Sequence, residues 1–309
     1  MMIRRAIVTG ASGFIGQKLV RQLIARRVRV LTVGIGGAAN EGAQHLDFGP
    51  AIWTEPQWRQ AIETGDPDVV FHLAGRFRGS FAELEAANIG QLQTLLASLS
   101  AYETKPALVV AGSAAEYGTA FLDGEPTSES VVCTPASQSY GATKHAQTRA
   151  AMAFAEKTGA RIIIARIFNA VGAGMPKSLA LGDFAAQIAA MGAGGVIRTG
   201  NLDVWRDFLD VETVAQTMVR LAEVSAADGI INVCSGVAAH LRTIVEHMIE
   251  RSRKTIRLEL DASRIRPGET RVIIGSTARL QRLGIAPQPP DMQAIADAIL
   301  TQASSRVAA

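Results

Sequence analysis

Short apolar runs alternate with stretches of helical period along the first half of the chain. Ala6-Ile7-Val8 is a continuous apolar run, and Gln17 to Ala25 sets Leu19, Val20, Leu23 and Ile24 on one side of a helix. Val28 to Val33, Asp68 to Leu73, Ala107 to Ala111, Arg161 to Ala165 and Ile230 to Cys234 read as further strands. Helical patterns cover Phe81 to Leu99, Ser137 to Lys157 and Val211 to Val224. Strands that are apolar on both faces, separated by helices, predict a parallel sheet covered on both sides. The expected class is α/β, a doubly wound parallel sheet with a smaller C-terminal α/β lobe. Past Phe168 the rhythm weakens: Gly172 to Lys177 reads as loop, Gly192 to Asn201 as a glycine-rich turn region, and Gln288-Pro289-Pro290 as a break. Residues 1–167, with returning segments over about 207–236, are expected to form the main-sheet domain. Residues 168–206 and 237–309 form the smaller lobe. The tail beyond Leu300 is polar and alanine-rich and is expected to fray.

The first strand runs into Thr9-Gly10-Ala11-Ser12-Gly13-Phe14-Ile15-Gly16, which then opens a helix. Gly10 permits a tight turn, Gly13 lets backbone N–H groups approach a pyrophosphate, and Gly16 lets helix and strand pack closely. The helix N-terminus adds unpaired N–H donors and the positive end of its dipole. Strand, glycine turn and helix in that order point to a dinucleotide, which makes the main sheet Rossmann-type. An acid at the end of the second strand would bind the ribose 2′-OH of NAD. The chain has Leu31-Thr32-Val33-Gly34-Ile35-Gly36-Gly37 there, with no acid and no arginine, a slight lean toward NADP over NAD. Asp47, followed by Phe48, reads equally as an adenine contact or a loop cap.

Tyr140 and Lys144 lie four apart in a helical stretch, so they share a face. A free tyrosine titrates near pH 10. A neighbouring ammonium and an oxidised nicotinamide ring would favour its phenolate and make it an acid–base at neutral pH. Ser113 follows the fourth strand in Ala111-Gly112-Ser113-Ala114-Ala115-Glu116-Tyr117-Gly118, at the carboxyl end of the sheet where ligands bind. It is placed to hydrogen-bond a substrate oxygen, or to serve as an ordinary turn serine.

Composition removes several classes. Of 309 residues 48% are hydrophobic and 19% charged, which supports a large core and excludes wholesale disorder. A formal charge of +3, with no basic run interleaved with aromatics, argues against a nucleic-acid partner. Two distant cysteines, Cys133 and Cys234, make no disulfide framework and read as buried thiols. No eighteen-residue apolar stretch or signal-peptide pattern is present, so a cytoplasmic chain with no membrane partner is expected. The five histidines show no metal-binding spacing, so no metal is expected. Trp53 and Trp58 fall in an expected helix and read as packing.

On these motifs the chain resembles the extended short-chain dehydrogenase/reductases, the NAD-dependent epimerase/dehydratase family, which mostly handle nucleotide sugars. The resemblance implies that Ser113, Tyr140 and Lys144 form the catalytic triad. It also implies that Gly10, Ser12, Gly13, Phe14, Ile15, Gly16, Asp47, Phe48, Leu73, Ala74, Gly75, Tyr140 and Lys144 line the NAD(P) site. His72-Leu73-Ala74-Gly75 looks like the family's third-strand motif, and Asn88 like a helix asparagine of more structural role. Ser139 departs from a proline common before the tyrosine, with little effect expected. In the later half Arg166 to Gly172, Val204 to Val211 and Arg266 to Glu269 resemble segments that present Asn169, Arg206 and Arg266 to a substrate diphosphate. Two guanidiniums on separate loops can clamp such a group. The pattern is most similar to the subgroup of GDP-4-keto-6-deoxy-D-mannose reductases, and a homodimer packed through the Tyr140 helix is implied.

Three chemistries share such a scaffold. Dehydratases carry acids directly after the serine or threonine, where this chain has Ala114 and Ala115; Glu116 is one place late and is expected to face elsewhere. Reduction of the 4-keto group of a nucleotide-linked 4-keto-6-deoxyhexose is the leading expectation. A nucleotide-sugar epimerase is the alternative, and a cofactor-binding sensor without turnover the non-catalytic one.

Overall fold

The computed structural model describes residues 2–36, 41–265 and 268–308. In the first half β1 (Arg5–Thr9), α1 (Phe14–Ala25), β2 (Arg29–Gly34), β3 (Gln44–Asp47), α2 (Glu55–Gly65) and β4 (Val69–His72) alternate. They are followed by α3 (Phe81–Glu85), a π-helical segment (Ala86–Gly90), α4 (Gln91–Leu99) and β5 (Ala107–Ser113). After the two-residue β6 (Pro126–Thr127) come α5 (Tyr140–Thr158), β7 (Ile162–Ile167), β8 (Asn169–Val171), α6 (Ala180–Ala190), β9 (Gly194–Thr199) and β10 (Trp205–Asp210). The chain continues through α7 (Val211–Glu223), β11 (Gly229–Val233), β12 (Ala238–His240), α8 (Leu241–Ser252) and β13 (Thr255–Leu260). It closes with β14 (Val272–Gly275), α9 (Ala278–Arg282) and α10 (Met292–Ala308).

Seven strands form one parallel sheet in the order β11-β7-β5-β4-β1-β2-β3. The strand order reverses between β1 and β4, so a crevice opens there beyond their carboxyl ends. On one face α1 and α7 bury Leu19, Val20, Leu23, Val214, Met218 and Val219 against Val8, Phe71 and Ile163. Lys18 and Arg21 of α1 both pair with Glu212 of α7, at 3.1 and 3.0 Å. On the other face α2, α4 and α5 bury Trp58, Leu92, Leu95 and Ala151 against Ile7, Val70 and Ile164. Alternation of strand residues between these two clusters is the physical reason the strands are apolar throughout.

The smaller lobe has a five-stranded sheet, β12-β10-β14-β6 with β8 on β10, a β9–β13 pair, and a cluster among α6, α8 and α10. Several expectations change here. Gly194–Thr199 is strand, because paired glycine leaves room for a close neighbour: a Cβ on Gly194 would stand 2.2 Å from the Thr255 carbonyl oxygen. Residues 207–210 of the expected returning segment sit in the small sheet within β10, and only α7 and β11 join the main one. Helix α10 continues past Leu300 to Ala308. Trp53 precedes the Thr54 cap of α2 rather than lying in the helix, though it is buried against Trp58. Cys133 is half-buried, while Cys234 is buried.

Candidate active site

The turn after β1 folds tightly against the end of β4. Gly10 adopts φ +65°, and a Cβ there would lie 2.8 Å from the Ala74 nitrogen. A Cβ on Gly16 would stand 2.1 Å from the Gly10 carbonyl oxygen, so the helix start and the turn touch through glycine alone. Gly13 begins α1 with no side-chain cap and no acid in the first turn, leaving the positive helix end for an anion. That cradle fits the pyrophosphate of a dinucleotide.

Thr9 ties the cradle to the sheet and was not singled out from sequence. Its Oγ1 accepts the N–H groups of Leu73 and Ala74, at 3.2 and 3.0 Å. Its own proton is then left for Nδ1 of His72, 3.2 Å away, which places the imidazole proton on Nε2. Burial, reinforced by the nearby Lys144 charge, holds His72 down at about 3, so it is a neutral structural ring.

One cleft of about 1190 Å³ runs from this cradle into the smaller lobe. Gly10, Ser12, Gly13, Phe14, Ile15, Gly16, Leu73 and Gly75 line it together with Ser113, Tyr140, Lys144, Asn169 and Arg206. Three of the expected cofactor residues lie outside its lining. Asp47 caps its own loop, with Oδ1 accepting the Gly49 N–H at 2.8 Å. Phe48 meets Trp53 edge-on, and Ala74 is the partner of Thr9 just described. Arg266 lies outside the described residues.

Ser113 ends β5 and caps the 3-10 turn Ala114–Tyr117, its Oγ accepting the Ala115 N–H at 3.2 Å. Tyr140 is the first residue of α5, capped by Ser139, whose Oγ accepts the Ala142 N–H at 3.1 Å. A serine cap replaces the fixed backbone a proline would supply at that position. Gly141 lets the two turns meet: a Cβ there would be 2.2 Å from the Ala115 carbonyl oxygen. Burial pushes the Tyr140 phenol up to about 12, the Ser113 hydroxyl beside it pulls the other way, and the Glu116 charge raises it further. The Lys144 ammonium expected beside the phenol leaves the same face of α5, and the Glu116 charge acts on both groups.

Lys144 is buried, with Nζ bonded to the Ala111 carbonyl and to Oε1 of Gln147. Burial pulls it to about 8, with the Glu116 charge opposing. Glu116 does point away from the cleft, but into the floor of the site: Oε1 accepts the Ser113 N–H at 2.8 Å and Oε2 pairs with Arg166 at 2.9 Å. Asn88 in the π-helical segment accepts the Arg76 N–H at 2.9 Å and donates to the Arg76 carbonyl and to Thr143 Oγ1, also at 2.9 Å. It thereby ties the loop after β4 to α5, a use to which π-segments are often put.

At the far end Arg206 donates to the Trp205 and Arg271 carbonyls, at 2.8 and 3.0 Å, and pairs with Glu269 at 2.7 Å. Asn169 donates to the Asp207 carbonyl at 2.8 Å. Asp207 is a second residue sequence reading missed. Its buried carboxylate accepts the Ser235 N–H and hydroxyl and the Gly236 and Gly275 N–H groups, between 2.7 and 3.0 Å. It locks β10, β14 and the turn after β11 behind Arg206. Among the described residues no group of three His, Cys, Asp or Glu side chains could hold a metal, and no helix is long and apolar enough to cross a membrane.

A glycine cradle at the switch point and a Ser–Tyr–Lys set in one cleft define an enzyme class. The model of the NAD dependent epimerase/dehydratase family matches residues 6–234, and the chain belongs to that family of NAD(P)-dependent extended short-chain dehydrogenase/reductases. Within it, the chain is similar to GDP-6-deoxy-D-mannose reductase of Pseudomonas aeruginosa, 30% identical over 316 residues and 99% of each chain. It is also similar to dTDP-6-deoxy-L-talose 4-dehydrogenase (NAD(P)(+)) of Kitasatospora kifunensis, 30% identical over 80% of this chain and 79% of that one. The solved structure of RMD from Pseudomonas aeruginosa complexed with NADPH superposes with a TM-score of 0.78, at 26% identity and 98% coverage of both chains.

Proposed function

We propose that this protein reduces the 4-keto group of a nucleotide-linked 4-keto-6-deoxyhexose. The observation that carries the reading is the meeting, in one cleft, of the glycine cradle, Ser113 with Tyr140, and Arg206. When bound, reduced NADP or NAD supplies the hydride; the absence of an acid in Val33-Gly34-Ile35-Gly36 gives NADP a slight preference. Gly10, Ser12, Gly13 and Gly16 would hold its pyrophosphate, with Leu73 and Gly75 along its wall.

The chain's own part is proton delivery. Ser113 Oγ accepts the Ala115 N–H and stands beside the Tyr140 phenol, so a sugar carbonyl oxygen placed between them would take its proton in a hydrogen bond. Tyr140, with its phenol near 12, is protonated at neutral pH and in its donating form. As charge develops on the ketone oxygen, the Tyr140 O–H transfers its proton to that oxygen while Ser113 donates a hydrogen bond to it. Ala114 and Ala115 cannot move protons, which disfavours dehydration. Arg206, with Arg266, would take the diphosphate. Similarity to two enzymes named for 6-deoxyhexose redox chemistry supports the sugar class. A homodimer through α5 belongs to the same proposal.

The test is cofactor oxidation with a panel of 4-keto sugar nucleotides, comparing wild type with Tyr140→Phe. The variant is expected to lose at least about a hundredfold in kcat, the scale of a lost general acid, with cofactor affinity nearly unchanged. Undiminished turnover would reject Tyr140 as the acid. Interconversion of sugar nucleotides without net cofactor oxidation would make the protein an epimerase, and a thermal shift without turnover a sensor.

A further inference from the structure

Beneath the cleft floor lies an ion pair that the reaction as described does not use. Glu116 and Arg166 are 0% and 1% exposed and pair at 2.9 Å. Arg166 spreads over the Tyr117 ring, 4.5 Å from its centroid. The Tyr117 hydroxyl is held in turn by Asn232 Oδ1 at 2.8 Å. Glu116 also abuts Gly112, where a Cβ would stand 2.9 Å from Oε1.

Ser113-x-x-Glu116 is a capping box, and capping alone explains neither the charge nor the burial. The chain holds two controls. Thr54-x-x-Gln57 caps α2 with a neutral amide, so a cap needs no charge. Ser80-x-x-Glu83 caps α3 with a carboxylate 51% exposed, so a cap needs no burial. Burying two charges costs solvation that a neutral pair would not, and such pairs are often replaced by apolar groups without loss of stability. Glu116 shares with both controls its hold on the capping residue's N–H and differs in the rest: it pairs with the buried Arg166, and its charge reaches Tyr140 and Lys144.

We propose that the buried Glu116–Arg166 pair is the positioning device of this site, Glu116 holding Ser113 from beneath and setting the charge that faces Tyr140 and Lys144. The role rests on the ketone-reduction reading. Arg166, on β7, fixes the carboxylate; Tyr117 and Cys133 flank the guanidinium; Tyr140, Lys144 and His145 face the pair from α5. The Glu116 charge favours the protonated form of all three α5 groups; Tyr140 is protonated at neutral pH in any case, so the hold on Ser113 is the part of the device that bears on turnover.

The test replaces both charges together, Glu116→Gln with Arg166→Met, so that neither is left buried alone. Glu116→Gln with Arg166→Leu is made in parallel, so that a packing failure in one variant does not decide the matter. With tyrosine labelled at Cζ, the three tyrosines of the chain give three carbon signals, and that of Tyr140 is the one missing in Tyr140→Phe. In the neutral-pair variants the Tyr140 signal is expected to titrate at lower pH than in wild type. Reductive kcat should fall about tenfold or more, with the cofactor KM within about twofold of wild type. An unmoved Tyr140 titration with unchanged kcat in a folded neutral-pair variant would overturn the proposal and leave the pair as packing. If wild type reduces no keto sugar, the functional reading fails, while the tyrosine titration still decides the role of the pair.

Discussion

The Lys144 ammonium is bonded to two neutral acceptors, the Ala111 carbonyl and the Gln147 amide oxygen, and burial draws it from 10.5 to about 8. Between those values the unfolded chain holds a proton that the native chain has released. Stability is therefore lowered at and below about pH 8 and is regained as pH rises toward 10.5. Against Lys144→Met, which lacks this titration, wild type should gain roughly 3 kcal/mol of unfolding free energy between pH 7 and pH 10.5. Denaturant unfolding at the two pH values reads the difference; a constant gap would mean that Lys144 is not buried as a charge. The i, i+4 spacing made Tyr140 and Lys144 legible as neighbours. The spacing fixes only where a side chain leaves the helix, so the Lys144 terminus, drawn to a carbonyl on β5, was not legible. Glu116 was legible in principle as the fourth residue of Ser-x-x-Glu. Its burial against Arg166 was not, because the partner lies fifty residues further along the chain, on a different strand.

At the scale of elements, the site depends on α5 starting hard against the turn after β5. Gly141→Ala would set a methyl 2.2 Å from the Ala115 carbonyl oxygen, prising Tyr140 from Ser113. We expect it to cost about 1–3 kcal/mol of stability and at least about tenfold in kcat. The control is Gly159→Ala at the other end of α5: its φ of +69° makes alanine strained, yet a Cβ there meets nothing within 4 Å. It should cost about 1 kcal/mol and leave kcat alone. Thermal unfolding and kcat measured on both variants separate position from stability, and equal losses in kcat would contradict the contact argument. The buried parallel strands were legible because they are apolar on both faces. Gln44–Asp47 was not, since an edge strand with only its middle half-buried carries no apolar run. Gly194–Thr199 was not legible as strand, because Gly194 serves close pairing with β13, which sequence does not distinguish from chain reversal.

Over the whole molecule, the cleft exists because two sheets place their functional ends toward each other. The main sheet supplies the cradle and Ser113; the smaller lobe supplies Asn169 and Arg206, backed by the buried Asp207. Arg78, in the loop after β4, reaches across to donate to the Ser178 carbonyl at 2.6 Å, a direct tie between the two sides. This arrangement suits a large substrate held by its diphosphate while its ketone lies at Ser113 and Tyr140. Its most direct test is mass analysis of the sugar formed from a 4-keto-6-deoxyhexose nucleotide with cofactor carrying deuterium at nicotinamide C4, both stereoisomers being tried. Our account predicts one deuterium retained at sugar C4 for every cofactor oxidised, with one of the two stereoisomers. A product without deuterium from either, or a converted sugar with the cofactor still fully reduced, would contradict it.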